Sequence, residues 1–182
     1  YKADQINTRE LAKLKGKAHK FSAKIEGDYP EKNYPTEPEL ELKPGAKVMF
    51  LRNDTEAARF YNGKTGVVDR IDGDTIIVCC DGNEYIEVER TQWENIGYSA
   101  NPETKQIEEN TLGRFIQYPL RLAWAITIHK SQGLTFDKVM IDAGQAFAPG
   151  QIYVALSRCR SLEGIVLLSK IHPDSIRNDR QI

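Results

Sequence analysis

Apolar and polar positions alternate along this chain in several distinct rhythms, each predicting a different element. Ile6, Leu11 and Leu14 recur near helical spacing among polar neighbours, which predicts a helix from Asp4 to about Lys17, with Gly16 close to its stop. The stretch from there to Pro44 is polar and carries Pro30, Pro35, Pro38 and Pro44. Proline at that density forbids a long helix and predicts an extended connection over the surface. Ala46–Leu51 is apolar with one lysine, Thr65–Ile71 leads into the turn Asp72-Gly73, and Thr75–Cys80 leads into a second turn, Asp81-Gly82-Asn83, followed by Glu84–Arg90. Asp-Gly supplies the positive φ angles of tight hairpins, so these runs predict a three-stranded meander. In its last strand Ile86 and Val88 alternate with Tyr85, Glu87 and Glu89, the rhythm of a strand with one buried and one wet face. Leu112–Tyr118 reads as a fourth strand. Short antiparallel strands of this kind are expected to close into a small barrel, because closure removes exposed edges.

Beyond Pro119 the rhythm changes. Lys138–Asp142 reads as a short buried strand, Gly150–Cys159 as a helix with Ile152, Ala155, Leu156 and Cys159 on one face, and Ile165–Ser169 as a second buried strand. Strand, helix and strand at this spacing predict a parallel βαβ unit with a right-handed crossover. With 182 residues, 40% hydrophobic and 28% charged, the chain has the size of one ordinary domain or two small ones, and no internal repeat or low-complexity tract. No run approaches the ~20 apolar residues of a membrane-spanning helix, which argues against an integral membrane protein. The N-terminus carries neither a signal-peptide pattern nor an initiator Met, which reads as a piece of a longer protein. Cys79, Cys80 and Cys159 make no disulfide framework and suit a reducing cytoplasm, the predicted location. His19, His129 and His172 lie far apart, which argues against a structural zinc site.

The formal charge of −1 argues against a histone-like nucleic-acid binder, but the distribution is uneven. Between Asp28 and Pro44 five acids face two bases; from Pro119 to the end eight bases, among them Lys130, Arg158, Arg160, Arg177 and Arg180, face five acids. A local anionic ligand near the C-terminal end and a solvated surface both fit that asymmetry.

Three stretches carry candidate chemistry. Gly63-Lys64-Thr65 looks like the end of a phosphate-binding P-loop, but the position that needs the first glycine is Ala58, and a strand rather than a helix follows. An Asn-Gly turn is the better reading, so the chain shows no nucleotide-hydrolysing core of its own. Thr127-Ile-His-Lys-Ser-Gln-Gly133 lies between the apolar segment Leu122–Ile126 and the strand at Lys138. Its hydroxyl, imidazole, ammonium and amide groups suit phosphate, at the place where a parallel sheet sets its ligand sites; a polar turn in water has the same composition. Tyr153-Val-Ala-Leu-Ser-Arg158 puts Arg158 on a helix with Ser157 beside it and Arg160 two residues on. Arg158 reads either as a surface arginine or as a guanidinium aimed at a transferring phosphoryl group.

Leu122-Ala-Trp-Ala-Ile-Thr-Ile-His-Lys-Ser-Gln-Gly-Leu-Thr-Phe-Asp137, followed in order by Tyr153-Val-Ala-Leu-Ser-Arg-Cys-Arg160, resembles motifs V and VI of superfamily 1 DNA helicases of the Pif/RecD-like branch, which translocates 5′ to 3′. Upstream, Lys43–Asp54 and Tyr61–Val68 resemble the entry to the SH3-like insertion of these helicases, and Tyr1–Asn7 the tail of motif IV. The likeness covers nearly the whole chain and is weakest between Lys17 and Leu40. It departs in one respect: the Walker A and B residues of such helicases lie on a first RecA-like domain that is not in this sequence.

The resemblance implies an α/β, RecA-like (P-loop NTPase-type) parallel-sheet domain lacking the P-loop, made of residues 1–45 and 119–182, with an SH3-like β-barrel inserted at 46–118. It implies the C-terminal part of an ATP-dependent DNA helicase, inactive alone, whose N-terminal RecA-like domain would bind most of ATP and Mg2+. Arg158 would reach the γ-phosphate, Gln132 and Gly133 would touch or relay the nucleotide, and Thr127, His129, Lys130 and Ser131 would hold phosphates of single-stranded DNA or DNA junctions. His129 also reads as a packing side chain and Trp124 as core, while Tyr85 and Trp93 are candidates for contact with displaced DNA that packing aromatics would mimic. A non-enzymatic SH3-like module binding nucleic acid or protein is the rival from another class, favoured by the missing Walker motifs and opposed by the paired helicase motifs. A 3′-to-5′ helicase of the UvrD kind is a third reading, opposed by the short barrel insertion.

Overall fold

The computed structural model describes residues 2–100, 106–142 and 150–171. It divides into two compact units, Tyr1–Trp124 and Ala125–Ile182.

The first unit opens with helix α1 (Lys2–Lys13), which buries Asn7 and Leu11. The helix stops before the predicted Lys17: a final turn from the Leu14 N–H to the Leu11 carbonyl (3.2 Å) closes it, and Leu14 packs against the core. The proline-bearing stretch is not a plain surface connection. It contains β1 (His19–Ser22), β2 (Lys24–Gly27) and β3 (Glu39–Leu42). β1 and β3 pair antiparallel, His19 opposite Leu42, so that Phe21, Leu40 and Leu42 enter the core. β4 (Lys47–Phe50), β5 (Thr65–Asp72), β6 (Thr75–Cys80) and β7 (Glu84–Val88) follow. β5, β6 and β7 form the expected meander, with Gly73 (φ +60°) and Gly82 (φ +75°) at its two turns. Ile86 and Val88 are buried between exposed Tyr85, Glu87 and Glu89, as the alternation predicts.

Two longer strands come next, β8 (Thr91–Ala100) and β9 (Ile107–Gln117), then the short β10 (Leu120–Leu122). β9 extends the expected fourth strand, and β8 has no counterpart among the predicted elements. The strands do not form one closed barrel among the described residues. They make a five-stranded sheet in the order β10-β4-β5-β6-β7 and a three-stranded sheet in the order β2-β9-β8. β9 pairs with β2 and β8 along its two edges, which turns this hairpin into its own sheet rather than a wall of a barrel.

The core of this unit is made by inward residues of seven strands, among them Val48, Phe50, Val68, Ile76, Val78 and Ile86, with Leu40 and Leu42 from β3. Each such aliphatic or aromatic side chain contributes about 1.5–3 kcal/mol on burial. Trp124 packs against this core, in keeping with its apolar surroundings in the sequence. Buried polar groups fasten the proline-bearing segment. The Gln117 amide donates to the Phe21 carbonyl (2.7 Å) and accepts from the Tyr118 N–H (3.0 Å), while the Thr36 hydroxyl donates to the Leu120 carbonyl (2.7 Å).

The second unit holds β11 (Val139–Ile141), α2 (Gln151–Leu156) and β12 (Ile165–Leu167). β11 and β12 are parallel, Val139 opposite Ile165, as expected of a βαβ unit. Ile141, Ile152 and Ala155 form its small core. The two strands are only partly buried, unlike the expectation: Met140 is 63% and Val166 54% exposed, because a two-stranded sheet covered on one face leaves its other face bare. No helix among the described residues is long and apolar enough to cross a membrane.

Candidate functional site

Both chemical stretches that stood out in the sequence meet in the second unit. Residues 127–134 form a tight polar loop built around a short 3-10 turn at His129–Ser131. Its hydrogen bonds are local. The Ser131 N–H donates to the Thr127 carbonyl (3.0 Å), the Lys130 N–H to the Thr127 hydroxyl (3.2 Å), and the Leu134 N–H to the Ser131 carbonyl (3.0 Å). A threonine hydroxyl satisfies an otherwise orphaned amide here, as side chains do at helix starts. Ser131 is buried, and its hydroxyl donates to the Ile128 carbonyl at 2.7 Å. Thr127 and Ser131 therefore shape the loop. His129, Lys130, Gln132 and Gly133 are exposed on it, and Gly133 takes φ +78° to turn the chain away.

Helix α2 presents the second stretch. Ile152 and Ala155 face the core because they lie three apart on one side, and Leu156 packs beside them. The helix ends at Leu156, and Ser157 caps it. The half-buried Arg158 follows, and its guanidinium makes three hydrogen bonds. Nε donates to the Val154 carbonyl (3.0 Å), Nη1 to the Leu134 carbonyl (3.2 Å), and Nη2 to the Ser157 hydroxyl (2.9 Å). Arginine has five N–H donors in a rigid planar fork, so two remain without a partner among the described residues. Backbone bonds tie the same two segments together: the Phe136 N–H donates to the Arg158 carbonyl (2.8 Å), and the Arg160 N–H donates to the Phe136 carbonyl (3.1 Å). Arg160 points into solvent and pairs with Asp137 (3.1 Å), two exposed side chains.

The structure thus joins the loop 127–134 and the end of α2 through Arg158. Sequence reasoning singled out Arg158 but not the main-chain carbonyl of Leu134 that receives it, since a carbonyl has no sequence signature. Arg177 and Arg180, part of the positive C-terminal balance, lie outside the described residues. Among the described residues no three metal-ligating side chains converge. In the first unit, Lys64 of the rejected P-loop match pairs with Glu84 and donates to the Arg59 carbonyl (2.9 Å), which marks it as part of a surface turn. Trp93 packs edge-on against Phe115 under the Arg52 guanidinium, whereas Tyr85 is 59% exposed.

Comparison with known proteins bears on both stretches. Residues 122–166 match the family model described as the UvrD-like helicase C-terminal domain. That segment contains both stretches. The chain is 37% identical over 187 residues to the human ATP-dependent DNA helicase PIF1, which covers 97% of this chain and 27% of that protein. It superposes on unliganded Pif1 from Bacteroides sp. with a TM-score of 0.89 and 41% identity, over 98% of this chain and 41% of that one. Bacteroides Pif1 in complex with ADP-AlF3 and ssDNA matches with a TM-score of 0.76 and the same 41% identity, over 98% of this chain and 41% of that one. The chain therefore spans well under half the length of these relatives. Its mixed, sheet-rich α/β fold, its ordered pair of motifs and its likeness along nearly all its length agree: the chain is similar to Pif1 DNA helicases over nearly all of its own length and carries a match to a helicase C-terminal domain.

Proposed function

We propose that this chain is the C-terminal motor part of an ATP-dependent DNA helicase that moves 5′ to 3′ on single-stranded DNA, and that Arg158 is its arginine finger. Residues 1–45 and 119–182 form the second RecA-like domain in this reading, and 46–118 an SH3-like insertion. The observation that carries it is the state of Arg158: a guanidinium fixed by three acceptors, with two N–H groups that have no partner among the described residues and suit an anion. Such a group is oriented before its ligand arrives. In hydrolysis the oxygen of water bonds to the γ-phosphorus as the bond to the β–γ bridging oxygen breaks. ADP keeps that electron pair, and the water proton passes to solvent. Charge spreads over the γ-phosphate oxygens, and a fixed guanidinium meets it.

Gln132 and Gly133, exposed beside this junction, touch the nucleotide or report its state. His129 and Lys130 hold DNA phosphates, on a loop that Thr127 and Ser131 keep in shape. The Bacteroides relative crystallised with ADP-AlF3 and ssDNA supports both ligands. The N-terminal RecA-like domain of the same protein would hold most of ATP and Mg2+; the described residues offer no ligand cluster for the metal.

The test is steady-state ATPase of the full-length protein with saturating single-stranded DNA. Arg158→Ala and Arg158→Lys should both cut turnover by about 10³–10⁵, since lysine keeps the charge but not the fork. Binding of single-stranded DNA without nucleotide should change little. Arg160→Ala removes only an exposed ion pair and should keep most activity. Turnover within a few-fold of the parent in Arg158→Ala, or loss of DNA binding instead, refutes the assignment.

A further inference from the structure

A hydroxyl beside Arg158 is built into its support. A helix end leaves carbonyls without their amide partner four residues on. The Val154 carbonyl is one of these, because the Arg158 N–H turns to the Ala155 carbonyl (3.3 Å) instead. Two side-chain donors reach it: the Ser157 hydroxyl at 3.0 Å and Arg158 Nε at 3.0 Å. The single Ser157 proton is thereby committed to Val154, which leaves the lone pairs of Oγ to accept. Nη2 of Arg158 donates into them at 2.9 Å. Helix end, hydroxyl and guanidinium form one closed ring, and Nη1 ties the ring to the Leu134 carbonyl at 3.2 Å. Ser157 is itself exposed.

We infer that Ser157 is a positioning residue for Arg158, setting the plane in which the guanidinium meets the γ-phosphate; this rests on the arginine-finger reading above. Removing the hydroxyl takes away one of three anchors and leaves Nη2 without its acceptor. A small misplacement of a group that acts only in the transition state costs rate rather than ground-state binding.

The experiment uses the full-length protein with Ser157→Ala, Ser157→Thr, Arg158→Ala and the double variant Ser157→Ala/Arg158→Ala. Ser157→Ala should lower DNA-stimulated turnover about 10- to 100-fold. It should also weaken binding of ADP with aluminium fluoride while leaving affinity for ADP alone and for single-stranded DNA within about twofold of the parent. Ser157→Thr keeps the hydroxyl and should restore turnover to within a few-fold. In the Arg158→Ala background, Ser157→Ala should add nothing, because the residue acts through Arg158. Parental turnover in Ser157→Ala, a multiplying effect in the double variant, or parallel loss of DNA binding overturns the inference alone. Parental turnover in Arg158→Ala overturns the finger reading and this inference with it.

Discussion

Gly164→Ala should break the seam between the two chemical stretches. Gly164 is buried where the chain turns into β12, and a Cβ added there would lie 2.1 Å from the Asp137 carbonyl oxygen and 2.7 Å from the Cys159 sulfur. An ordinary carbon–oxygen contact is over an ångström longer, and the first atom is backbone, which cannot rotate away. Asp137 must therefore move, and it adjoins Phe136, whose N–H and carbonyl bond to Arg158 and Arg160 at 2.8 and 3.1 Å. Overpacking of this sort costs about 1–3 kcal/mol, and the backbone clash puts Gly164→Ala at the upper end, about 2–3 kcal/mol. The cost should appear locally, as about a 30- to 150-fold loss of hydrogen-exchange protection at the Phe136 and Arg160 amides. Amides of the β5–β6 pair, in the other unit, serve as the control and should keep theirs. Adding Cys159→Ala should give little relief, since it removes the 2.7 Å contact and leaves the 2.1 Å one. Protection within twofold of the parent at Phe136 and Arg160 would show that the seam yields freely, and the reasoning would be wrong.

Lys130→Ala in the full-length protein should weaken single-stranded DNA binding about equally for all sequences and flatten log K against log salt by roughly one unit, the signature of a lost phosphate contact; an unchanged slope in salt titrations followed by anisotropy returns Lys130 to solvent. Asp54 offers a pH test in the first unit. The Arg59 guanidinium donates to its carboxylate at 2.7 Å, with the Ala57 and Arg59 amides adding bonds, and together they hold its pKa at about 2. The folded value lies below the unfolded one, so the ionised carboxylate stabilises this loop fully above the ordinary aspartate range and loses that effect as pH falls toward about 2. A carboxyl carbon NMR titration should show that midpoint, rising toward the ordinary range in Arg59→Ala; a parent midpoint near the ordinary value contradicts the loop's geometry.

What could be read of the fold without coordinates depended on how far apart the partners lie. The meander was legible because Asp72-Gly73 and Asp81-Gly82 fix each hairpin within a few residues, and alternation then fixes the buried face. β1 and β3 were not, because four-residue strands carry too short a pattern and pair across the prolines, His19 against Leu42. Only Phe21, Leu40 and Leu42 mark their inward faces, too few to outweigh the polar composition around them. β8 was hidden for a related reason. Asn95 and Gly97 interrupt a run that otherwise holds Trp93, Ile96 and Tyr98, and a partner strand up to eleven residues long overrides their poor strand preference. Reading Leu112–Tyr118 as a barrel strand followed from missing β8: without it, β9 had nowhere to pair except the meander.

The candidate site divides along the same line. Side chains that carry charge or a hydroxyl at fixed spacing were legible, and the family resemblance attached expectations to Arg158, Lys130 and their neighbours. The connections between them were not, because two of the three acceptors around Arg158 are main-chain carbonyls, which every residue has. The third is instructive. Ser157 and Arg158 are adjacent in sequence, and adjacent residues on a continuing helix do not face one another. They meet here because α2 stops at Leu156 and Ser157 takes φ −69° and ψ −3°, so that the chain tightens into i→i−3 bonds and leaves the Val154 carbonyl to both side chains. The same six-residue helix continued by one more turn would satisfy Val154 with a backbone amide and carry the guanidinium round its axis. The early end of α2 is therefore what brings Arg158 to Leu134, and with it the loop that displays Lys130.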